Sequence, residues 1–105
     1  MLILFTAIAV MGGHNYYETD LLMSGESNPE FDDTCTAEFA DPSYGDLSIE
    51  YEQGLETYKL HAVFKKQGET QFTLTDIEGN EYIYDLQIRR NTYNIKLADS
   101  DEWRY

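Results

Sequence analysis

The chain is poor in residues that would staple it together or aim it at polyanions. It holds one cysteine, Cys35, among 105 residues, so no internal disulfide can carry the fold. Bases are scarce: seven Lys and Arg stand against 20 Asp and Glu, for a formal net charge of -13. Phosphate contacts need clustered Lys and Arg, so neither nucleic acid nor an anionic membrane surface is an expected partner. No apolar run is long enough to span a bilayer as a helix. There is no glycine-rich phosphate loop, and no segment between residues 34 and 97 shows an apolar stripe at helical spacing. What remains is a chain sized for one small domain, whose 42% hydrophobic and 14% aromatic content suffices for a core.

The scarcity of bases is also uneven. Lys59, Lys65, Lys66, Arg89, Arg90, Lys96 and Arg104 are all of them, so residues 1–58 carry 12 acids and no base. Such asymmetry marks either a solvated acidic surface or a face for cations and basic partners. Residues 2–11 are uncharged and mostly apolar, and Gly12 and Gly13 follow. The length suits the apolar region of an export signal, which points to a secreted or cell-surface protein, although no basic residue precedes it. The same run also fits an apolar strand. Val10-Met11-Gly12-Gly13 has the outline of a lipoprotein cleavage box but lacks the cysteine that would carry lipid. Residues 1–13 are therefore read as an export signal and 14–33 as an acidic loop or linker. Within the linker, Leu21, Leu22 and Met23 can dock as a short first strand or a helical turn.

From residue 34 apolar residues recur with period two: Cys35, Ala37, Phe39; Leu47, Ile49, Tyr51; Tyr58, Leu60, Ala62, Phe64; Phe72, Leu74; Tyr82, Tyr84, Leu86, Ile88; and Tyr93, Ile95, Leu97. Alternation over short segments puts one strand face in a core and the other in water. Turn formers separate the segments at Asp41-Pro42-Ser43, Gln53-Gly54, Gln67-Gly68 and Gly79-Asn80. Strands at this spacing predict an all-β sandwich over residues 34–97, with an acidic, aromatic tail at 98–105. Tyr51, Tyr58, Tyr82 and Tyr84 are the expected core or face aromatics. Cys35 reads as a small buried hydrophobe.

The sharpest local signal is residues 70–88, two strands around a short turn in which Gly79 and Asn80 can take positive φ. Asp76 can cap that turn. Asp76, Glu78 and Asn80 also place oxygen donors at alternate positions, a fragment of a calcium loop without its closing bidentate Glu. Turn chemistry is the leading reading; no other cofactor is expected. His61 lacks a partner at metal-ligand spacing and falls on a wet strand face. Nothing assembles a catalytic site, so no enzyme is expected. Tyr16, Tyr17, Tyr44, Trp103 and Tyr105 fall in turns or tails, where exposed rings serve protein recognition or stacking on sugars. The first four are the candidate ligand-binding residues.

Asp41-Pro42-Ser43, Leu47-Ser48-Ile49, Tyr58 to Ala62, Gly68 to Asp76, Gly79-Asn80 and Tyr82 to Ile88 follow one another in a recognisable order. Over Asp41–Ile88, about half the chain, this resembles the Big type of bacterial immunoglobulin-like domain, which is repeated in cell-surface proteins and adhesins. The resemblance implies an immunoglobulin-like sandwich of six to seven short antiparallel strands, used outside the cell as a spacer or adhesive module. It implies a protein or glycan partner at the cell surface and carries over no catalytic residue. Two other readings fit the residues: a small carbohydrate-binding module built on tyrosines and Trp103, and a secreted inhibitor or accessory protein acting through its loops.

Overall fold

The computed structural model describes residues 16–25 and 27–99. The expected export signal at 1–13 and the tail residues Trp103 and Tyr105 lie outside them. The described chain forms β1 (Tyr17–Met23), β2 (Thr36–Phe39), β3 (Gly45–Glu52), β4 (Thr57–Phe64), β5 (Gly68–Thr75), β6 (Glu81–Ile88) and β7 (Tyr93–Leu97). A single 3-10 turn at Pro42–Tyr44 is the only helical piece among the described residues. Every pairing is antiparallel. One sheet has the order β1-β4-β3, the other β2-β5-β6-β7. β1 to β6 thus reproduce the B-E-D and C-F-G order of the immunoglobulin sandwich. β7, the strand beyond Ile88, adds to the second sheet.

The alternation does what period-two patterning requires. Leu60, Ala62 and Phe64 of β4, Phe72 and Leu74 of β5, and Leu86 and Ile88 of β6 are fully buried between the sheets. Tyr84 joins them, stacked on Phe72 with ring centroids 5.0 Å apart. Phe39 bridges the sheets, with its centroid 6.5 Å from Phe64 and 6.3 Å from Phe72. Cys35 is a half-buried free thiol packed against the core. Gly45 opens β3 at φ 152°, where a Cβ would lie 2.0 Å from the Val63 carbonyl oxygen. Only glycine lets the chain turn from the 3-10 turn into the sheet this closely.

The expected linker at 14–33 is largely structural. β1 is a seven-residue strand, and both Leu21 and Leu22 are buried. A bulge between Asp20 and Leu22 breaks the register, so two consecutive side chains reach the core. Period-two reading cannot see such a strand. Phe31, also in that stretch, is among the most buried residues of the molecule.

β1 is an edge strand, and its wet face is clamped. His61 of β4 meets Asp20 Oδ1 through Nδ1 at 2.8 Å and Glu18 Oε1 through Nε2 at 2.9 Å. Neutral imidazole donates from one nitrogen only, so the imidazolium is the form that satisfies both carboxylates. Hydrogen bonds to Asp20 and then Glu18 raise the His61 pKa above 6.5, against partial burial. Burial works against the Asp20 carboxylate, but His61 and Lys59 together hold its pKa below the usual range. Lys59 completes the ladder, 3.4 Å from Asp20 and 3.0 Å from Glu52.

A histidine pKa raised by folding contributes stability that is complete below about 6.5 and lost as pH climbs through the folded value; a depressed Asp20 pKa contributes above about 3.8 and is lost as pH falls. The clamp therefore stabilises most between those limits. Both carboxylates are well exposed, so solvent screening keeps its worth to about 1 kcal/mol or less. Urea unfolding at pH 6 and pH 9 should show a loss of stability at pH 9 in the wild type that shrinks in His61→Gln. An equal loss in both would remove the clamp from the account.

Candidate interaction site at the loop end

The strand order brings three connections to one end. β1 ends, and β4 begins, beside the β3–β4 turn, because Met23 pairs with Lys59 and Glu52 with Thr57. In the other sheet Thr36, Thr75 and Glu81 lie together. The β1–β2 connection is tied to the β5–β6 turn by Ile77 N–H, which donates to the Glu30 carbonyl at 3.1 Å, while Ser24 N–H continues the β1–β4 ladder by donating to the Tyr58 carbonyl at 2.9 Å. Residues 24–25, 27–35, 53–56 and 76–80 thus form one loop end.

Phe31 is its floor. The side chain plugs the gap between the sheets, while its N–H donates to Ser24 Oγ at 2.9 Å. The loop around it is bonded into shape. Asn28 Nδ2 donates to the Met23 carbonyl at 3.0 Å, and Asp32 Oδ1 accepts from Thr34 N–H at 2.9 Å. The Thr34 hydroxyl and then this amide hold the Asp32 carboxyl below the usual range. Asp33 and Asp32 lie close enough to Tyr58 that, led by the Asp33 charge and with some burial, they raise its phenol pKa.

The β5–β6 turn carries the residues with calcium-like spacing. Gly79 takes φ 87°, whereas Asn80 does not adopt the positive φ expected of it. Asn80 serves instead as donor: Asp76 Oδ1 accepts from Glu78 N–H and Asn80 N–H, each at 2.9 Å, and Asp76 Oδ2 from Asn80 Nδ2 at 3.4 Å. The Tyr82 hydroxyl also favours the charged form of this carboxylate. Burial opposes the charge on Asp76, and these donors more than offset it, leaving the pKa low. Asp76 faces inward to its own turn, while Glu78 and Asn80 are exposed. Among the described residues no group of three or more His, Cys, Asp or Glu side chains is placed to hold a metal ion.

The candidate tyrosines sit at the opposite end. Tyr17 belongs to β1 rather than to a turn; its ring meets Phe64 edge-on at 5.0 Å and its hydroxyl donates to the Thr92 carbonyl. Burial, with Tyr93 and Tyr16 nearby, pushes its pKa up to about 12. Tyr16 accepts from Gln67 Nε2, and Tyr44, closing the 3-10 turn, lies 4.4 Å beneath Lys66 Nζ. The structure therefore brings Tyr16, Tyr17 and Tyr44 to one end, where their rings pack against the core. Trp103 lies outside the described residues.

No family model, curated protein or solved structure matches the chain.

The loop end holds what sequence reasoning missed. Among the described residues four large hydrophobics stand out in solvent, and Leu55 (68% exposed), Ile77 (54%) and Tyr51 (51%) are here. Tyr51 leans edge-on against Tyr58 at 5.2 Å. Leu55 precedes Glu56, a non-glycine residue at φ 50°, a left-handed conformation that carries a steric cost. The signal was available at Ile77: an apolar residue flanked by Asp76 and Glu78 inside a tight turn has no core to enter. Phe31→Ala should cost about 3–5 kcal/mol in urea unfolding, as large-to-small changes in a closed core do. A loss below about 1 kcal/mol would mean Phe31 is not the floor of this end.

Proposed function

We propose that the chain is a non-catalytic, immunoglobulin-like extracellular module of a bacterial surface or secreted protein, a spacer or adhesion domain that meets a protein partner through its loop end. One observation carries the reading: three connections converge on a buried floor and present apolar side chains to solvent, the arrangement by which variable immunoglobulin domains bind. The Big-type order of turns and strands supports the bacterial surface setting, and the apolar run at residues 2–11 supports export. The carbohydrate reading draws no support from the rings. Tyr84, Phe72, Phe64, Phe39 and Tyr17 are spent between the sheets instead of forming a coplanar outer platform.

Expression of all 105 residues in a bacterial host should place the protein outside the cytoplasm, with its N-terminus trimmed within residues 1–13. Mass spectrometry of fractionated cells reads both. An untrimmed chain confined to the cytoplasm would overturn the extracellular reading.

A further inference from the structure

The two ends of the sandwich differ in charge as sharply as in shape. Residues 24–35, 53–56 and 76–80 contain acids but no Lys or Arg. The connections at the other end, residues 40–44, 65–67 and 89–92, contain Lys65, Lys66, Arg89 and Arg90 and one acid, Asp41. The base nearest the loop end, Lys59, is already held by Asp20 and Glu52. A cationic body approaching this molecule is attracted by the net charge of -13 and turned by the separation of charge so that it meets the loop end first. There it finds Leu55, Ile77 and Tyr51 exposed at the same end as the exposed acids Glu30, Asp33 and Glu56. Apolar side chains displayed among charged ones are what protein-binding surfaces combine.

From this we infer that the loop end docks a cationic protein segment whose apolar side chains cover Leu55 and Ile77, an inference that rests on the loop-end reading above. A second copy of the chain fits less well. It brings its own charge of -13, and among the described residues none of the large exposed hydrophobics lies at its basic end.

The test is an amide NMR titration of the full chain at about 0.15 M salt with three synthetic peptides of about ten residues. The first has lysines around a central leucine pair, the second has serine in place of leucine, and the third has glutamine in place of lysine. The lysine–leucine peptide should move signals of residues 24–35, 53–56 and 76–80, and the other two should bind at least tenfold more weakly. The double variant Leu55→Ser with Ile77→Ser should keep its dispersed spectrum and lose at least tenfold in affinity for the first peptide. Equal binding of the serine peptide, with shifts spread over the face of Glu18, Asp20 and Glu50, would reduce the effect to diffuse attraction and overturn the inference. Equal binding of the glutamine peptide at the loop end would overturn the cationic requirement while leaving the loop-end reading intact. Concentration-dependent shifts at the loop end without peptide would assign the surface to a second copy. Failure of all three peptides to move these signals would remove the loop-end reading as well.

Discussion

Everything in this molecule hangs on the face-to-face burial of two sheets. With a single cysteine there is no covalent brace, so the contact of β4 with β5 and β6 must hold the sandwich unaided. The rings form its spine: Tyr17 against Phe64, Phe64 against Phe39, Phe39 against Phe72, Phe72 stacked on Tyr84. A slip of one residue in any central strand would turn these side chains to water. Register is therefore held by burial itself. The polar outer faces add local fastening, such as Gln71 to Asp85 at 2.7 Å and Lys96 to the same carboxylate at 3.2 Å.

A sandwich closed along its faces still has two open ends, and the chain treats them differently. At one end the tyrosines seal the gap, with Tyr93 donating to the Asp20 carbonyl at 2.9 Å and Tyr17 to Thr92. At the other Phe31 is buried, with Tyr58 and Tyr82 packed against the core nearby, and the loops beyond display side chains. This division sends the molecule's aromatic surplus to structure and its exposed aliphatics to the acidic end.

Much of the fold was legible because alternation is a direct imprint of burial on a pleated strand. β3 to β7 follow it closely, and the strand after Ile88 is as regular as the rest. β1 was partly hidden, since its bulge places Leu21 and Leu22 side by side on the inside and erases the period. The loop end was hidden for a different reason. Phe31 lies in a loop outside any alternating segment, and no local pattern announces that its ring is buried with the core. The tyrosines misled because abundance does not distinguish rings that bind from rings that pack. His61 was rightly placed on a wet face, but its two carboxylates sit 41 and 43 residues away, beyond any spacing rule.

β7 changes how the domain would sit in a line of force. β1 starts beside Phe64, at the basic end, and β6 also finishes there, at Ile88 opposite Gly68. A chain that stopped after β6 would enter and leave on the same side. By running back along β6 to Leu97 opposite Tyr84, β7 carries the exit toward the loop end. Tension between residues 16 and 99 then acts along the strands, across hydrogen bonds that lie perpendicular to the pull. The β1–β4 and β6–β7 ladders are loaded in shear, so many bonds must fail together rather than one after another. In the proposed spacer role, this short strand of five residues sets the exit of the described chain away from its entry.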